Sequence, residues 1–190
     1  TYHYHADLGT GEFFLLDDSK PDLDPAFFRA PDLVGTVEPA YDIVGTGDYN
    51  GDGRSDLLWR HLANGELWVW LMDGATTLGV HYVDTVDPVY LVKGSGDLNG
   101  DGRVEVLLGC YSGVRIFTGK EDNQIEYHGQ SNVNGFSEYL PSINYFDVAD
   151  VTGDDRDDIV ALDHFFSNEP LGDQNFTLSM YQFDSTFLTT

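Results

Sequence analysis

The chain is short of positive charge. Nine Lys and Arg stand against 33 Asp and Glu in 190 residues, a formal net charge of −24. That balance excludes a nucleic-acid interface, which needs a surplus of basic side chains to neutralise phosphates. It argues in the same way against anionic membrane surfaces. Cysteine is almost absent too: Cys110 stands alone, so no intrachain disulfide can form. In "VLLGCYSG" it reads as a small buried hydrophobe. No apolar run approaches the length of a membrane helix. Helical periodicity is missing, apart from one short turn allowed by "DLDPAFFR" at Asp22–Arg29. No signal-peptide pattern opens the chain and Thr1 is not an initiator methionine, so the reading is a mature form or a fragment. No G-x-S-x-G elbow, H-E-x-x-H pair or phosphate-cradling glycine loop occurs.

What remains is a foldable, turn-rich chain, with 41% hydrophobic residues, 14% aromatics and 21 glycines. Its acids recur in a pattern. "GTGDYNGDGRSDLLW" (Gly45–Trp59) returns as "GSGDLNGDGRVEVLL" (Gly94–Leu108) and again as "DVADVTGDDRDDIVAL" (Asp147–Leu162). The first acids, Asp48, Asp97 and Asp150, stand 49 and 53 residues apart. "TVEPAYDIVGTGD" from Thr36 aligns with "TVDPVYLVKGSGD" from Thr85, and "ANGELWVWLMDG" from Ala63 with "GTGEFFLLDDS" from Gly9. The repeats run approximately over 1–40, 41–89, 90–143 and 144–190, the first lacking its acidic loop and the strand before it.

Each repeat reads as strands. "DIVGTGDY", "DLLWRHL", "ELWVWLM" and "GVHYVDTV" are short and apolar, and Asn64-Gly65 is a hairpin signal. Four antiparallel strands in about fifty residues describe one blade of a propeller. The expected fold is therefore all-β: a β-propeller of about four antiparallel four-stranded blades, the first incomplete. It forms either a small closed ring, with "STFLTT" at the C-terminal end lending a strand, or part of a larger propeller.

The loops carry metal-ligand spacing. Side-chain oxygens fall at positions one, three, five and nine: Asp48, Asn50, Asp52 and Asp56 in the first loop, and Asp97, Asn99, Asp101 and Glu105 in the second. The third supplies Asp150, Thr152, Asp154 and Asp158. Position seven, Arg54, Arg103 or Arg156, can offer only its carbonyl. An all-oxygen set on a flexible loop fits Ca2+, up to three ions, better than magnesium or zinc. The last carboxylate comes at position nine, not at the twelfth place an EF-hand requires, and a strand follows instead of a helix. The third loop departs from the pattern: Thr152 replaces Asn, Asp155 replaces the glycine at position six, and Asp157 adds charge without an obvious ligand role.

The phrase "GDYNGDGRSDLLWRHLANGELWVWLMDG" resembles the FG-GAP/VCBS-type repeats of integrin α-subunit heads, bacterial surface proteins and some fungal lectins. The resemblance covers most of the chain from Asp42 onward. It implies a propeller whose loops bind calcium, and it leaves function open, because this architecture hosts many.

Other side chains offer less chemistry. Asp17-Asp18, Glu121-Asp122 and Asp163 read as solvated surface or turn. His3 and His5 share a strand face without a third ligand, and His61, His81, His128 and His164 stand alone at strand edges. Trp59, Trp68 and Trp70, with Tyr82 and Tyr90 near, could stack on sugar rings, although large aromatics also fill the space between blades. "NFT" at Asn175–Thr177 fits a glycosylation sequon. The expectation is a non-catalytic, calcium-stabilised binding or adhesion module, extracellular or at the cell surface, that engages a protein or glycan without nucleic acid or membrane insertion. Self-association, or contact with neighbouring blades of a longer chain, is its corollary. The alternatives are a structural subunit of a surface or filament assembly, or an accessory or catalytic domain of a polysaccharide-active enzyme.

Overall fold

A computed structural model of the chain describes residues 2–17, 32–110, 113–120, 125–130, 146–165 and 175–181. Every regular element among them is a strand. The segments "DLDPAFFR" and "STFLTT" lie outside the described residues. The chain falls into two compact units, Thr1–Thr46 with Gly53–Pro88, and Gly47–Asp52 with Val89–Thr190.

The first unit holds a three-stranded sheet of β1 (Tyr2–Ala6), β2 (Glu12–Asp17) and β3 (Asp32–Thr36), in that order. Beside it in the same unit is a four-stranded sheet of β4 (Tyr41–Gly47), β5 (Asp56–His61), β6 (Glu66–Asp73) and β7 (Thr76–Thr85), also in sequence order. Along β6 the period of two is visible: Leu67, Val69 and Leu71 are buried, while Trp68 and Trp70 on the opposite face are half-buried. Met72, next on the Trp68 and Trp70 face, is fully buried against Phe13, Leu57 and Trp59, and the pairing with β7 shifts register between Leu71 and Met72.

β5 is buried on both faces. Its Leu57 and Trp59 sit opposite Trp70 and Trp68 of β6. Phe13 of β2 enters this face and meets the rings of Trp59 and Trp70 edge-on, at 5.0 and 5.4 Å between centroids. Phe13, Leu57, Trp59 and Met72 form the buried centre, with Tyr4, Val34, Tyr41 and Ile43 packed around it. The buried Arg60 directs its guanidinium to the carbonyls of Val86 and Asp87, which replace the water it has lost.

Two hairpins of this unit are built alike. Between β1 and β2 the Asp7 carboxylate accepts the amides of Gly9 and Thr10, and Gly11 N–H donates to the Asp7 carbonyl. Between β5 and β6 the His61 Nδ1 accepts the amides of Ala63 and Asn64, and Gly65 N–H donates to the His61 carbonyl. Gly11 and Gly65 then accept the amides of Val37 and Val86. Both glycines have positive φ, 74° and 81°, and a Cβ on either would strike the carbonyl of Val37 or Val86. By this match β1, β2 and β3 correspond to β5, β6 and β7, so the first sheet lacks a counterpart of β4 among the described residues.

The second unit holds a sheet of β8 (Leu91–Gly96), β9 (Glu105–Cys110), β10 (Gly113–Gly119) and β11 (Ile125–Gln130), each antiparallel to the next. A second sheet comprises β12 (Phe146–Ala149), β13 (Asp158–Phe165) and β14 (Asn175–Tyr181), again antiparallel. Val106, Leu107, Leu108, Ile116 and Phe117 fill the interior of the larger sheet. The acidic loops join β4 to β5, β8 to β9 and β12 to β13, so each connects the first strand of a sheet to its second.

Candidate metal-binding loops

The three loops share one amide scaffold. In the second, Asp97 Oδ1 accepts the N–H groups of Gly100 and Asp101 at 2.8 and 3.1 Å, and Oδ2 accepts that of Gly102 at 2.9 Å. In the third, Asp150 takes Gly153 and Asp154 on one oxygen and Asp155 on the other. In the first, Asp48 Oδ1 accepts from Gly51 and Asp52 at 2.7 and 3.0 Å. Position three acts again on position five: Asn50 accepts the Asp52 amide and Asn99 that of Asp101.

The curl needs left-handed backbone at position six. Gly53 and Gly102 supply it at φ 81° and 83°, and Asp155 adopts it at 63°. Asp155 is the one described non-glycine residue with positive φ, as its place in the repeat requires.

The position-nine acids are fully buried, at 0%, 0% and 1% exposure for Asp56, Glu105 and Asp158. Asp158 Oδ2 turns back to the amides of Val151 and Thr152 and to the Thr152 hydroxyl. Glu105 accepts from the Leu98 amide at 2.9 Å and the Thr118 hydroxyl at 3.0 Å. Asp56, in the first unit, accepts the Met72 amide at 2.9 Å. Burial pushes the Glu105 carboxyl up to about 8; its two hydrogen bonds oppose the rise, while Asp101 and Asp97 add to it. A buried carboxyl next to further acids gains most from a cation, and the donors available are all oxygens, which suits calcium.

The position-five acids of the second and third loops face arginine. Arg156 Nη2 donates to Asp154 Oδ2 at 2.7 Å and holds that carboxyl below its usual range. Arg103 Nη1 lies 3.5 Å from Asp101 Oδ2, and Arg54 pairs with Asp73 at 3.3 Å. No three His, Cys, Asp or Glu side chains converge as metal ligands among the described residues. The carboxylates of positions one and nine are turned to amides and those of position five in the later loops to arginine. Of the first loop, Asp48, Asn50 and Asp52 belong to the second unit and Arg54 and Asp56 to the first.

The loops of the second unit also touch one another, which the spacing of ligands does not foretell. Val104 N–H donates to the Asp48 carbonyl at 2.8 Å, and Asp157 N–H to the Asp97 carbonyl at 2.9 Å. Both donors occupy position eight, and both acceptors open the preceding loop. The stem of Arg103 lies over Gly51, where an added Cβ would be 3.2 Å from its Cγ, and that of Arg156 lies over Gly100 at 2.9 Å. Asp157 makes one bond more: its Oδ2 accepts the Asp97 amide at 2.9 Å. The signal for these contacts was an arginine at position seven of every loop although its side chain ligates nothing there.

In the first unit a cavity of about 280 Å3 is lined by Thr36, Val37, Glu38, Tyr41 and Val80 together with Trp59, Trp68 and Trp70. Trp59 is buried, whereas Trp68 and Trp70 are half-buried and Tyr82, against Trp68, is exposed. Tyr41 donates to Glu66 at 2.6 Å and stacks edge-on against His61. In the second unit Tyr90 is buried beneath the Arg115 guanidinium. His5 is exposed and His61 caps a turn. Only the backbone is described for His3, His128, His164 and Cys110, and Asp18, Glu121 and Asp122 lie outside the described residues.

Searches of curated proteins and of solved structures found no match to the chain. Residues 97–161, from the first acid of the second loop through the third loop and into β13, match the family model of the FG-GAP-like repeat.

Proposed function

We propose that the protein is a non-catalytic, calcium-stabilised binding module of β-propeller type, working outside the cell or at its surface. One observation carries the reading: three loops repeat the same amide scaffold around acids at positions one and five, and each closes on a fully buried carboxylate at position nine. Asp48, Asn50 and Asp52, in the second unit, would offer side-chain oxygens to one ion. Asp97, Asn99, Asp101, the Arg103 carbonyl and Glu105 would hold a second, and Asp150, Thr152, Asp154, the Arg156 carbonyl and Asp158 a third. Each ion would neutralise clustered acids and pin the turn between two strands. Calcium affinities of about 10⁻⁴ to 10⁻³ M are typical of extracellular modules, and they would keep such loops filled outside a cell. Thermal unfolding with calcium and with excess EGTA tests the reading. A large fall in Tm on chelation is expected, and superimposable melting curves would sink it.

The tryptophan-lined cavity favours a glycan as the ligand. Half-exposed indole faces stack on pyranose rings, and the Glu38 carboxylate can accept sugar hydroxyls. A glycan array run on the wild type and on Trp68→Ala checks this: signal lost in the variant is expected, and a blank array on the folded, calcium-loaded wild type removes the glycan reading.

A second reading, as a subunit of a surface or filament assembly, draws on β7. There Val80 and Tyr82 share one face, opposite Trp70 and Trp68, and are 46% and 48% exposed, and Leu78 of the same strand is 55% exposed. Sedimentation as a concentration-independent monomer would count against it.

A further inference from the structure

We propose that Asp157, which has no place in any ligand set, is a positioning residue for the preceding loop, so that the loops 97–105 and 150–158 order together. The proposal rests on the calcium reading above for its binding consequence, but not for the linkage itself. Asp157 grips Asp97 from both sides of one peptide position. Its N–H donates to the Asp97 carbonyl, and its carboxylate accepts the Asp97 N–H, each at 2.9 Å. This is a two-bond clamp on the backbone of the residue that opens the second loop. The Asp97 side chain in turn gathers the amides of Gly100, Asp101 and Gly102. Fixing the Asp97 backbone therefore fixes the hub of the whole turn.

Neighbouring contacts reinforce the clamp. The Arg156 stem lies over Gly100 of the same turn. At Gly96, one residue before the hub, an added Cβ would collide with the Asp157 carboxylate and with Val148. The pair of loops before this one is joined more weakly, since Val104 offers the amide to Asp48 but no carboxylate. Order in the third loop thus lowers the entropy that the second must lose on closing around an ion, and linkage makes the effect mutual.

The test follows each loop through its own amide, Gly102 for the second and Asp155 for the third, in a calcium titration by NMR. Hydrogen exchange at the Asp97 amide is measured in the absence of metal. Asp157→Ala should speed Asp97 exchange and weaken calcium at the 97–105 loop by about five-fold or more. Asp157→Asn, which keeps an oxygen acceptor, should restore most of both. Asp155→Asn removes the same charge from the same loop without touching the clamp and should leave the second loop near its wild-type affinity. Gly96→Ala should reproduce Asp157→Ala from the other side. Unchanged Asp97 exchange in Asp157→Ala overturns the proposal, as does an Asp155→Asn effect as large as that of Asp157→Ala. If calcium moves neither amide in the wild type, the calcium reading fails, and Asp97 exchange alone decides the linkage.

Discussion

Tyr41 donates its hydroxyl to Glu66, and each group shifts the other. Burial, then the Glu66 contact, raises the phenol from 10.0 to about 12, and the phenol holds the Glu66 carboxyl below its ordinary range. Both shifts stabilise the fold only while the phenol is protonated and the carboxylate ionised. The Glu66 contribution is lost as pH falls through its lowered pKa, and the Tyr41 contribution as pH rises through about 12. The Tm difference between wild type and Tyr41→Phe should therefore form a plateau between roughly pH 5 and 10 and shrink on both sides. A difference that grows below pH 4 would contradict the pairing. Glycines with the same backbone sign give a second comparison. Gly65→Ala adds a methyl against the Val86 carbonyl, whereas a Cβ at Gly74 meets nothing within 4 Å. We expect Gly65→Ala to cost about 3 kcal/mol and Gly74→Ala about 1 kcal/mol in chemical denaturation.

Among the elements, β2 joins the two sheets of the first unit through Phe13, which is fully buried against Trp59 and Trp70. Phe13→Ala should cost about 3 to 5 kcal/mol, read as a lower urea midpoint. In the loops, Thr152→Asn restores the amide oxygen that the other two carry at position three. It should strengthen calcium at the 150–158 loop relative to wild type, measured by the Asp155 amide. Much of this level was legible in the sequence. The strands from Tyr41 to Thr85 followed from short apolar runs and turn residues, and left-handed backbone at Asp155 followed from its alignment with Gly53 and Gly102. The full burial of Met72 did not, because the side chain that covers it, Phe13 of β2, comes from a distant part of the sequence. Nor did the roles of Asp157 and the position-seven arginines. Their partners lie about fifty to sixty residues away in sequence, and spacing within one loop says nothing about what stands beside it.

For the whole molecule, a charge of −24 is a term of its own. Self-repulsion among the acids is screened by any salt, whereas the proposed occupation of the loops would need a particular ion. In EGTA, raising sodium chloride from about 0.01 to 0.15 M should lift Tm gradually, because the Debye length falls from about 30 to 8 Å. Calcium at matched ionic strength should lift it further, and magnesium should not equal it. Equal effects of all three salts would reduce the acids to a screened surface. The contacts between loops also have a direction. Asp157 and Arg156 serve the loop of Asp97, and Val104 and Arg103 serve the turn at Asp48 and Gly51, so each of the first two loops is touched by its successor. A nearest-neighbour array of this kind is not symmetric end to end. Disabling either loop of a joined pair should loosen the other, because the bonds between them are shared and the coupling is mutual. Damage to one loop would then reach its joined neighbours on either side and fade with each joint it crosses.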